Sequence, residues 1–198
     1  MTSTRPALAA TALIAAALAL AGCDRDAREA PATGTAADAS TQAPQVSTTG
    51  TILTLARRDA DFTTLVSAIQ TAEMEEALSG PGPFTVFAPT NVAFEKIPAE
   101  RRDALTTPEG RSELRLLLTY HVVPARLDSA TLMQRIEAAG GSLALTTMQG
   151  GVLTARVNAA GSIELTDAAG GVSRVSEPEV IASNGVIHAV DTVAEPPG

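Results

Sequence analysis

The residues able to do chemistry in this 198-residue chain are few: two histidines, His121 and His188, and one cysteine, Cys23. A zinc site takes three or four Cys, His or carboxylate ligands; only two histidines exist, and Cys23 is better placed for the anchoring chemistry described below. A Ser–His–Asp arrangement can be drawn from His188 and Asp191, but no serine lies in a G-x-S-x-G nucleophile turn. Neither H-E-x-x-H nor the phosphate-cradling G-x-x-x-x-G-K-[ST] occurs. The glycine pairs at 140–141, 150–151 and 170–171 read as hairpin punctuation. The expectation is a protein without catalytic residues, metal or cofactor, and not an enzyme.

Cys23 suits a different chemistry. Residues 1–22 carry one base, Arg5, then the run ALAATALIAAALAL and the small pair Ala21-Gly22. That is the layout of an export signal, and the run is too short for a membrane span. LAGC, Leu20 to Cys23, resembles the bacterial lipobox, in which the cysteine receives a diacylglycerol after the signal is cut away. The alternative is a plain secretory signal with an incidental cysteine. Residues 23–48, rich in Ala, Thr, Ser and Pro, cannot bury enough apolar surface to order themselves and read as a tether, with a reach of roughly 25–30 Å. The chain is then exported and lipid-anchored to a bacterial membrane, facing periplasm or cell exterior. Losing Arg5 with the signal takes the formal charge from −8 to −9, which argues against nucleic acid and allows membrane contact through the lipid anchor only.

Residues 49–196 must hold the remaining candidates in place. Phe62, Leu65, Val66 and Ile69 fall at helical spacing, continued by Met74, Ala77 and Leu78. Asp61 is placed to cap the second of two helices, with Gly80 as the stop. GPFTVFAPTNVAFEKIP, residues 82–98, reads as a strand buried on both faces, ended by Pro89, then a short helix capped by Thr90 or Asn91. Three of the four phenylalanines lie in it, so a packing centre competes with an active-site turn. Leu114, Leu117, Leu118 and His121 share one helical face, which the chain leaves near Tyr120 and His121 because Pro124 follows. A further short helix, SATLMQRIEAAGG, comes next. LALTT, VLTARV, SIELT and VSRVS then read as a meander. Asn184-Gly185 predicts a type I′ turn joining Val180–Ser183 to Val186–Val193. Helices early and antiparallel strands late make the fold class α+β.

Three segments together resemble the fasciclin domain: GPFTVFAPTNVAFEKIP, the Tyr120-His121 pair in LLLTYHVVP, and ASNGVIHAVDTVAEPP. The resemblance spans about residues 50–196. It implies a wedge or sandwich of antiparallel strands with α-helices packed around it, and it makes the phenylalanine-rich segment the packing centre. His121 must satisfy its ring nitrogens if buried, and Thr90 and Asn91 are candidate partners in a structural network. The other reading of His121 is a functional site. His188 alternates with Val186 and Val190 and reads as a packed or edge-strand histidine rather than a ligand.

EPEVIASNGVIH resembles a segment of mammalian fasciclin proteins linked to integrin binding, with Glu179 standing where those have aspartate. The candidate interaction residues are therefore Glu177, Pro178, Glu179, Val180 and Ile181, on an expected edge strand, and Tyr120. The resemblance implies a binding or adhesion module that contacts an envelope or extracellular protein, itself or a polysaccharide. The alternative is a periplasmic carrier of a small apolar ligand.

Overall fold

The computed structural model describes residues 49–197. Cys23, the signal-like segment and the tether lie outside the described residues, as do the side chains of Glu177 and Pro178. Seven strands form one sheet in the order β2-β1-β7-β6-β5-β4-β3. They are β1 (Phe84–Pro89), β2 (Val122–Val123), β3 (Ser142–Thr146), β4 (Val152–Val157), β5 (Ile163–Thr166), β6 (Val172–Ala182) and β7 (Gly185–Val190). Among the described residues, seven α-helices surround it: α1 (Ile52–Ala56), α2 (Thr63–Thr71), α3 (Glu75–Ser79), α4 (Asn91–Glu95), α5 (Ala99–Thr106), α6 (Arg111–Tyr120) and α7 (Ser129–Ala138). The α+β expectation holds.

Every neighbouring pair is antiparallel except β1 and β7, which run parallel with Phe87 opposite His188. A parallel pair needs a long connection and two covered faces, and this one has both. Val86, Ala88 and Ile187 face a core shared with α1 to α6. Phe87 and Val190 face a second core built from α7 and β3 to β6. Phe84 and Phe94 join the first core and Phe87 the second, so the phenylalanine-rich segment straddles the sheet. It is a packing centre.

Three turns of the meander share one design. A polar opener, Thr147, Asn158 or Asp167, donates its N–H to the carbonyl four residues on, and the residue before that carbonyl is a glycine at positive φ (95°, 83° and 85°).

Local signals misled in four places. The expected second helix is two, because the chain bends at Glu73 (φ 54°) between α2 and α3. Asp61 caps neither of them; Asp59 caps the 3-10 turn Ala60–Phe62 instead. VSRVS and VIAS are one strand, β6, whose register against β7 shifts between Ser176 and Val180. That irregularity accommodates Pro178, which has no N–H for the ladder. The last hairpin pairs Ala182 with Gly185, so its turn residues are Ser183 and Asn184, and neither Asn184 nor Gly185 is left-handed. Gly185 is required for another reason: a Cβ there would lie 2.1 Å from the Phe84 carbonyl oxygen. Asn184 works as a tertiary clamp. Its Oδ1 accepts from Ile52 N (2.9 Å), and its Nδ2 donates to the carbonyls of Leu78 (2.9 Å) and Gly80 (3.0 Å).

Candidate interaction site

Leu114, Leu117 and Leu118 bury one face of α6, and that packing turns Tyr120 and His121 inward at the helix end. Tyr120 is fully buried. Its hydroxyl donates to the Val152 carbonyl (2.8 Å) and accepts from Ala168 N (3.1 Å), joining two turns of the meander. Burial raises the phenol pKa above its ordinary value. Tyr120 therefore contributes no exposed surface, which corrects its place among the interaction candidates.

His121 sits at the C-cap of α6, edge-on to Tyr120 at 6.5 Å. Nε2 accepts from Ala194 N (3.0 Å), which leaves Nδ1 protonated to donate to the Leu117 carbonyl (2.8 Å). Burial lowers its pKa, against smaller opposing pulls from the Leu117 carbonyl and the Asp167 charge. The neutral ring fastens the C-terminal stretch to α6. Thr90 and Asn91 are not its partners. Thr90 caps α4 by accepting from Ala93 N, and Asn91 Oδ1 reaches back to accept from Thr64 N at the start of α2 (3.0 Å). The expected single network is two separate ones.

A second polar cluster pins the connection between β2 and α7. Thr85 donates to the Ala125 carbonyl (2.6 Å) and accepts from Leu127 N (2.9 Å). His188, stacked on Phe87 at 5.5 Å, has Nε2 2.7 Å from the Leu127 carbonyl. Glu179 Oε2 accepts from Ser129 N (2.5 Å) and Ser129 Oγ (2.8 Å) and lies 3.8 Å from His188 Nδ1. Ser129 opens α7 directly after its cap, Asp128, whose bond to Thr131 N holds its own pKa below the usual carboxylate range. Sequence reasoning missed Thr85 and Ser129. The Asp128-Ser129 helix start was the available signal for the latter.

Asp191 belongs elsewhere: its carboxylate takes the Arg174 N–H (2.8 Å) and the Thr192 hydroxyl, with Lys96 at 3.6 Å. Ser129 Oγ is bonded to a carboxylate, and His188 Nε2 to a carbonyl. Among the described residues no three His, Cys, Asp or Glu side chains gather as a metal site, and no helix is long and apolar enough to cross a membrane.

The segment Glu177–Ile181 lies in an inner strand of the sheet, yet it has no strand partner on its β5 side and is a local edge there. The sheet ends at β2 and β3, and β6 lies between β7 and β5. Because β5 has only four residues, it pairs no further along β6 than Arg174. The Glu179 side chain does not project from that edge as a surface charge, since it is 21% exposed and bonded to Ser129. Beside this segment lies a hollow of about 270 Å³, where Asp59, Asp61, Thr90 and Ser176 surround Phe62 and Val180.

The family model described as the fasciclin domain matches residues 60–196. The Synechocystis sp. protein sll1483 is 41% identical over 147 residues, covering 74% of this chain and 74% of that protein. Transforming growth factor-beta-induced protein ig-h3 of Sus scrofa is 34% identical over 148 residues. That match covers 75% of this chain and only 20% of ig-h3. Among solved structures, a FAS1 domain pair from the insect cell adhesion molecule fasciclin I aligns with a TM-score of 0.57 at 20% identity. The alignment covers 73% of this chain and 50% of that one.

Proposed function

The chain belongs to the fasciclin domain family, and we propose that it is a binding or adhesion module that acts outside the cytoplasm by contact. The family match over residues 60–196 carries this reading. The spending of Tyr120, His121 and Glu179 on internal hydrogen bonds supports contact over turnover. The partner is an envelope or extracellular protein, a second copy or a polysaccharide. The contact surface is the Glu177–Ile181 segment with the acidic hollow beside it. Cys23 carries the lipid anchor and residues 24–48 hold the domain off the membrane, where many copies multiply a weak single contact.

Beads densely coated with the protein should attach to cells of the same species. Ser176→Arg combined with Asp61→Lys alters two exposed positions at the hollow's rim. The pair should abolish attachment while leaving the circular dichroism melt unchanged. Full attachment by this variant would remove the surface from consideration. Cys23→Ser should release the protein from the membrane fraction, and retention there would end the anchor assignment.

A further inference from the structure

On the helical side of the sheet, α2, α4, α5 and α6 enclose a cleft of about 220 Å³. Its floor is Ala68, Phe94, Leu105 and Leu114, all buried. α5 closes it with little of its own packing, because Leu105 is the one buried residue of that helix. The rim hydroxyls of Ser67, Thr71 and Thr106 donate to carbonyls of their own helices, so each offers the cleft an acceptor and no donor. Arg102 supplies the donors. It is half-buried at the cleft, and its guanidinium has no hydrogen-bond or ion-pair partner among the described residues. Arg101 beside it is by contrast taken by Glu113 (3.5 Å) and Glu195 (3.2 Å).

We propose that this cleft binds a small organic carboxylate whose apolar part is an aryl ring or a short branched chain, with the carboxylate on Arg102. Size sets the apolar part. A cavity of about 150 Å³ accepts benzene, so 220 Å³ holds one ring or a short chain and not a diacyl lipid. Charge sets the head group. A guanidinium fork matches a carboxylate in two parallel bonds. Asp103, exposed at the same mouth, repels a phosphate dianion more than a singly charged acid. The proposal rests on the cleft alone and not on the contact reading, so bead attachment and ligand binding succeed or fail separately.

The test is a titration of the full chain with 3-phenylpropanoate, following backbone amide resonances. Saturable shifts confined to Ala68, Thr71, Leu105 and Leu114 are expected. Arg102→Gln should weaken the carboxylate about tenfold and leave the neutral 3-phenylpropanamide unchanged. Ala68→Leu, which fills the floor, should remove binding of both. If that variant disturbs the spectrum away from the cleft, Thr71→Leu on the rim replaces it. Shifts that never saturate, or a carboxylate affinity untouched by Arg102→Gln, would overturn the proposal.

Discussion

The two sides of the β1–β7 pair hold their chains by different means. Toward the helices, the core is aliphatic and aromatic packing, Leu65, Ile69, Phe94, Leu114 and Leu117 among its members, and it leaves the 220 Å³ cleft. Toward the meander, fully buried Tyr120, Thr85 and His188 each bond the backbone of another segment. Apolar packing is non-directional and tolerates repacking. A buried polar group accepts one arrangement, because an unpaired partner costs about 1–3 kcal/mol. The core on the meander side is therefore the more position-specific one, while the helical core, clamped at its margin by Asn184 and Asn91, has room to change. The residues that looked chemical in the sequence are mostly the fasteners of the first.

The contrast predicts unequal costs for like substitutions. Phe87→Ala removes a ring with 0% exposure that stacks on His188, and it should cost about 3–5 kcal/mol in urea denaturation. Phe94→Ala empties a site already bordering the cleft, whose lining can relax into the space, and should cost about 1 kcal/mol less. Equal losses would break the comparison. His121→Ala comes next, at about 2–4 kcal/mol, since it strands the Ala194 N–H and the Leu117 carbonyl as well as leaving a void.

What the sequence made legible follows from where each signal resides. β1, the inward face of α6 and the meander strands carry their patterns locally, in runs such as FTVF and LRLLL and in the NAAG and DAAGG turns. α5 was invisible because AERRDALT buries only Leu105 and so presents no apolar stripe. The parallel pairing of β1 with β7 joins strands separated by most of the domain, and no local feature encodes it. Asn184-Gly185 was misread because the same dipeptide serves a hairpin or a clamp, and only the approach of Phe84 and Ile52 distinguishes them. Glu179 looked like a surface charge because the sequence reveals extension but not which neighbour, here α7, lies alongside.

Tyr120→Phe sharpens the comparison without making a cavity. It removes only the hydroxyl that Val152 and Ala168 share, so the expected loss is about 1–3 kcal/mol. Glu179→Lys belongs with it as a stability probe rather than a surface one. It puts a cation at the first N–H of α7, where the carboxylate now accepts, and should lower the melting temperature. A Tyr120→Phe protein as stable as the parent would make the meander side as permissive as the helical one.

The smallest effect is a dependence on pH, and it separates His121 from an ordinary packed side chain. Burial holds its folded pKa below the unfolded value of about 6.5. As pH falls below the unfolded pKa, the unfolded chain takes a proton that the folded ring refuses, because protonated Nε2 would confront the Ala194 N–H as a second donor. The unfolded state then binds more protons, so stability declines on acidification through that window and is level in this respect above it. Asp128 and Asp191 have lowered pKa values and act in the same direction only below the ordinary carboxylate range, which keeps the windows apart. Melting temperatures at about pH 7.5 and about pH 5.5, taken on the parent and on His121→Gln, isolate the contribution of this ring. The drop on acidification should be smaller in His121→Gln, whose amide carries no titrating proton. An identical drop in the two proteins would mean that the folded ring accepts the proton and that the Ala194 bond is not the constraint described.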